Sequence, residues 1–113
     1  MTDAVFVYIT AASHEEALRI GRAAVAERLA ACANVIGGMR TIYRWRGELC
    51  EEAEVVLILK TLAERLPELT RRVRALHSYE CPCIAALPAS PGNAAYFDWI
   101  AAEVGPLAAG DGP

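Results

Sequence analysis

With 113 residues, a formal net charge of -3 and 55% hydrophobic residues, the chain has room for one domain and not two. The mild acidity, with arginines scattered among glutamates, excludes a concentrated basic face and so nucleic acid as a partner, while free metal cations stay compatible. A chain this short buries only about two thirds of the surface its unfolded form exposes, so its apolar share exceeds what a monomer easily hides and points to a partner surface.

The opening residues Met1 to Ala4 run straight into an apolar stretch without a basic region or small-residue cleavage site, and no apolar run approaches the ~20 residues needed to span a bilayer. The expected compartment is the cytosol, where Cys32, Cys50, Cys81 and Cys83 stay as thiols. Ala4 to Thr10 (AVFVYIT) is β-branched and aromatic on both alternating faces, which reads as a central strand covered on two sides. Ser13 and Glu16 have capping-box spacing and start a helix. Leu18, Gly21, Val25, Leu29 and Cys32 form its expected apolar stripe, Glu15, Glu16, Arg19, Arg22, Glu27 and Arg28 its wet side, and its end falls near Ala31.

A strand then begins near Ala33 and meets Gly37-Gly38, where missing side chains suggest a bulge or bend. The ribbon RTIYRWRGELC carries Thr41, Tyr43 and Trp45 on one face and Ile42, Arg44 and Arg46 on the other, turning at Arg46-Gly47-Glu48. Glu54 to Lys60 is a second strand apolar on both faces. Thr61 and Glu64 repeat the capping spacing, and Pro67 fits only the first turn of a helix marked by Leu66, Leu69, Val73 and Leu76 and ending around His77-Ser78. Cys83 to Pro88 completes a β-α-β-β-α-β order, the split βαβ of α+β ferredoxin-like domains. A turn at Ser90 to Asn93 leads into a third helix, Ala94 to Val104, with Asn93 as N-cap, Gly105-Pro106 as a stop and a loose tail over 105–113.

In this topology both crossover helices cover the same sheet face, yet the two central strands are apolar on both. The third helix is too short to cover four strands, so copies of the chain packing through closed symmetry are expected to cover the rest. Tyr43 and Trp45 on a hairpin that outreaches its own domain are the expected interface residues.

Five blocks in order resemble the CutA family of divalent-cation tolerance proteins: LAACANVIGG (29–38), YRWRGEL (43–49), EVVLILKT (54–61), HSYECPCIAALP (77–88) and GNAAYFDWI (92–100). The resemblance implies a homotrimer related to the nitrogen-signalling PII proteins, with extended hairpins packed between subunits, a role in tolerance to copper or another divalent cation, and no catalytic activity. It places the family's histidine before Tyr-Glu at His77. The strand-one cysteine that some members use toward copper falls at Ile9, a second histidine at Leu76, the usual proline at Ser78 and the usual glutamate at Cys83.

His77, Cys81 and Cys83 form His-x3-Cys-x-Cys, soft ligands suited to copper(I) or zinc if the loop folds them inward; the plainer alternative is a segment stiffened by Pro82 whose cysteines, as small buried thiols on one side of a strand, serve only as core. A second candidate is an inter-subunit pocket of Trp45, Lys60, Tyr79 and Glu80 holding a polar ligand between aromatic walls, the plainer alternative being that Glu80 and Lys60 pair with each other. Tyr96 and Trp99 read as core anchors, His14 as solvated surface, and Arg44 and Arg46 as a wet face. Acylphosphatases share the fold class, but the phosphate-cradling loop their chemistry needs is missing from Thr10-Ala11-Ala12-Ser13, and no nucleophile elbow accompanies the Ser, His and Asp residues. The expectation is a binding protein without organic cofactor and not an enzyme.

Overall fold

The computed structural model describes residues 3–105, so the expected loose tail beyond Gly105 lies outside the described residues. The chain runs β1 (Ala4–Ala11), α1 (His14–Ala26), β2 (Cys32–Trp45), β3 (Glu48–Leu62), a 3-10 turn (Ala63–Arg65), α2 (Leu66–Leu76), β4 (Ile84–Pro88) and α3 (Ala94–Glu103). The sheet order is β2-β3-β1-β4 with every neighbouring pair antiparallel. The two strands with double-sided apolar sequence are therefore the inner pair, and the fold is the α+β ferredoxin-like sandwich with an added C-terminal helix.

One face of the sheet is sealed. Val7 and Ile9 of β1 and Leu57 and Leu59 of β3 pack under Ala17, Ile20 and Ala24 of α1 and Leu69 and Val73 of α2. The buried stripe of α1 runs through Ala17, Ile20, Gly21 and Ala24, one position round the helix from the expected line, and leaves Leu18 and Val25 exposed. Close approach explains the rotation: a Cβ at Gly21 would lie 3.1 Å from the Ala33 Cβ and 3.3 Å from Leu57 Cδ1, so only small residues let the helix lie this near the sheet.

Leu29 and Cys32 do not extend the helix, which stops at Ala26. Arg28 takes a left-handed conformation (φ 60°), its amide donating to Val25 O, while the Leu29 and Ala30 amides donate to Ala24 O. Its guanidinium then donates to the carbonyls of Ala102 and Glu103, so the residue that ends α1 also caps α3. Thr61 likewise departs from the expected helix cap. It lies inside β3, its hydroxyl donating to Leu29 O at 2.7 Å, and α2 is entered through the 3-10 turn with Pro67 in its first turn.

The other face is covered only at one end, where Ile100 and Val104 of α3 pack on Ala4 and Leu62 with Phe6, Tyr96 and Phe97 around them. Trp99, expected as a core anchor, is 42% exposed and stacks on Tyr96 at 5.7 Å. Beyond α3 the same face presents half-buried Tyr8 and Ile58, flanked by Ile36 and Leu87, which are 52% and 55% exposed.

The pairing of β1 with β3 ends at Ala11↔Val55, whereas β2 and β3 stay paired from Met39↔Glu54 to Trp45↔Glu48. A two-stranded arm therefore projects from the sheet, and the principal extents are 50 × 30 × 24 Å. The bulge between Ile36 and Met39 starts the arm, with Gly38 at φ 84°. Arg46 (φ 51°) and Gly47 (φ 84°) close it in a two-residue turn whose positive φ values match the twist of the strands.

Candidate functional site

Where the arm leaves the sheet, the loop joining α2 to β4 folds against the end of β1, and His77 organises the meeting. Its side chain is fully buried. The Thr10 carbonyl can only accept and the Tyr79 amide can only donate, so Nε2–H donates to Thr10 O (2.8 Å) and Nδ1 accepts from Tyr79 N–H (3.1 Å). Both ring nitrogens are thus engaged within the chain.

Glu16, read from the sequence as solvated, is 5% exposed. Its Oε1 accepts from the Ala12 amide (3.1 Å) and its Oε2 from the Ser78 amide (2.7 Å), with His77 Nδ1 3.6 Å from Oε2. Ser13 Oγ does accept from the Glu16 amide as a capping box requires, but the carboxylate reaches one residue further back and across to the α2–β4 loop. Burial pushes the Glu16 pKa up, while hydrogen bonds from Ser78 and Ala12 and the nearby imidazole pull it down, and the net direction is below the ordinary 4.5.

Tyr79 carries the lattice into the arm, its phenol donating to Glu54 Oε2 at 2.6 Å. Around this pair lies a cavity of about 510 Å³, lined by Thr41, Tyr43 and Trp45 of β2, Glu52 and Glu54 of β3, and Tyr79, Glu80, Cys81 and Cys83 of the loop among others. Tyr43 donates to Glu52 Oε2 at 3.1 Å. Desolvation, then the hydrogen bond and negative charge of Glu52, push the Tyr43 phenol up to about 12. Tyr79 is raised by burial and by Glu54.

Of the expected pocket residues, Trp45, Tyr79 and Glu80 do meet in this cavity. Lys60 does not. It sits over the rings of Phe6 and Tyr96 at 5.1 and 5.5 Å, further along β3, and Glu80 pairs instead with Arg46 at 3.0 Å. Cys81 and Cys83 are exposed thiols in the loop ahead of β4, which starts at Ile84. Burial and the Glu54 charge raise the Cys83 pKa. Among the described residues no three His, Cys, Asp or Glu side chains come together in a way that could hold a metal ion. Sequence reasoning missed Glu16, Glu52 and Glu54; the alternation Glu52, Glu54 on the face that carries Tyr43 was the readable signal for the latter two.

A sequence profile described as "CutA1 divalent ion tolerance protein" matches residues 5–103. A "Divalent-cation tolerance protein CutA" of Thermus thermophilus is 48% identical over 99 residues, covering 88% of this chain and 96% of that protein. The rice "Protein CutA 1, chloroplastic" is 38% identical over 96 residues, and there the match spans only 54% of the relative's length. A solved Thermus thermophilus structure, "Divalent cation tolerance protein (Cut A1)", superposes with a TM-score of 0.88 at 46% identity, over 90% of this chain and 99% of the other. The Archaeoglobus fulgidus structure, whose name includes "Periplasmic divalent cation tolerance protein CutA", gives 0.87 at 38% identity over 90% and 99%.

Proposed function

The chain belongs to the CutA1 divalent ion tolerance family, and from that premise we propose that it serves divalent-cation tolerance as a homotrimeric binding protein of the cytosol and not as an enzyme. The observation that carries this reading is the sheet face left open beyond α3, together with an arm that no third strand supports. An isolated two-stranded ribbon is marginal in water, and Ile42 and Leu49 on the arm are 66% and 73% exposed. Three copies in closed symmetry, each laying its arm across a neighbour's open face, would satisfy both demands. In this reading Tyr43 and Trp45 face a neighbouring subunit. The four free thiols fit a reducing compartment.

For the metal, the proposal is copper or zinc taken by the soft donors Cys81 and Cys83. His77 joins them only if its ring gives up Thr10 or Tyr79, so a neighbouring subunit is the more accessible source of further ligands. Titration calorimetry tests this: stoichiometric uptake of copper(I) or zinc, lost in the Cys81→Ser/Cys83→Ser variant, supports it. Absence of heat with both ions overturns it.

A second reading is favoured by the cavity itself: a PII-like module binding a small molecule, with metal incidental. Its walls are aromatic and its volume lies in the range of ligand sites. A thermal-shift gain on ligand addition that disappears in Tyr79→Ala, with metal uptake unchanged, would separate this reading from the first.

A further inference from the structure

The charge balance of the cavity is one-sided. Among the described residues, its lining carries Glu52, Glu54 and Glu80 and no lysine, arginine or histidine. Glu80 is paired with Arg46 at the rim, both side chains largely exposed. Among the described residues, the side-chain hydrogen-bond partners of Glu52 and Glu54 are the neutral phenols of Tyr43 and Tyr79. Glu54 is the telling case: the residue is 8% exposed, and its one side-chain hydrogen bond among the described residues comes from a neutral phenol to Oε2. A carboxylate on the cavity wall without a cationic partner favours a cation that can enter.

A bare metal ion is a poor match. No three donors that could hold one converge among the described residues. Same-face neighbours on a strand stand about 7 Å apart along the backbone, a spacing that a cation with its charge spread over several atoms or two ends can bridge. The walls agree, because Tyr43, Trp45 and Tyr79 offer ring faces that attract cations, and the Arg46 guanidinium already rests 5.3 Å from the centre of the Trp45 ring.

We propose that this cavity is a binding site for an organic cation, an alkyl diamine or guanidinium compound, with Glu54 and Glu52 as its counter-charges and Tyr43, Trp45 and Tyr79 as its walls. The proposal rests on the small-molecule reading above and names its ligand class. The raised phenols of Tyr43 and Tyr79 stay neutral and donate to Glu52 and Glu54.

The test is titration calorimetry of the full chain in amine-free, chelator-treated buffer with putrescine and agmatine, using 1,4-butanediol as the neutral counterpart of putrescine. Saturable binding of at least one cation, none of the diol, and affinity at least tenfold weaker in Glu54→Gln is the expected result. Glu52→Gln, at an exposed arm position, gives the same readout should the Glu54 variant fold poorly. No saturable binding of either cation, equal binding of the diol, or unchanged affinity in both variants overturns the proposal. A neutral or anionic compound that protects the chain in a Tyr79-dependent way would overturn the cation assignment while leaving the small-molecule reading standing.

Discussion

The two faces of one sheet are built from the same strands and end in different states. Under α1 and α2, Val7, Ile9, Leu57 and Leu59 have no exposure at all. On the reverse, Phe6, Tyr8 and Ile58, one residue along in each strand, stay half-buried, and Ile36 and Leu87 stand open. A strand alternates its side chains between faces, so identical apolar character on both sides of β1 and β3 means one face serves the chain's own core and the other awaits a cover. On the trimer proposal, the closed face reports on folding and the open face on association.

The comparison can be broken from either side. Leu59→Ala on the closed face should cost about 3 kcal/mol, the range for deleting a buried leucine, read as a lower denaturation midpoint. His77→Ala should cost about 2 kcal/mol, because it orphans the Thr10 carbonyl and the Tyr79 amide. The loss should be equal with and without a strong chelator; a loss seen only in metal-loaded protein would make His77 a ligand and not a strut.

Glu16→Gln should cost about 1–2 kcal/mol near neutral pH, since the carboxylate joins Ala12 to Ser78. Its folded pKa lies below 4.5, so its contribution is present above the unfolded value and is lost as pH falls through the folded one. Stability curves of the native chain and the Gln variant should therefore converge in acid, and curves that stay parallel there would refute the assignment. The smallest effect is expected at the base of the arm. A Cβ at Gly37 would overlap the His14 ring, so Gly37→Ala should cost under about 1 kcal/mol, with most of it recovered in the Gly37→Ala/His14→Ala double variant.

Much of this architecture could be read from sequence because it depends on local pattern. The doubly apolar strands, the Gly37-Gly38 bulge, the Arg46-Gly47 turn and the Asn93 cap, whose side chain accepts from Ala95 N, all sit where composition puts them. The end of α1 was hidden because an arginine, not a glycine, takes the left-handed position. The buried stripe of α1 was misread in part: Ala17, Ile20 and Ala24 join the expected Gly21 against the sheet, while Leu18 and Val25 face outward.

The site was less legible for a different reason. Glu16 finds its second partner at Ser78, and Tyr79 finds Glu54, contacts made only once the sheet has formed. Trp45, Tyr79 and Glu80 line one cavity of the single chain, while Lys60 lies over the rings of Phe6 and Tyr96.

The central claim, that the open face is covered by other copies of this chain, is tested most directly by the solution mass of the purified protein at micromolar concentration, measured by light scattering or sedimentation. The account predicts a particle of three 12.2 kDa chains, reduced toward one chain by Ile58→Glu on the open face. A monodisperse native particle of 12.2 kDa would contradict it.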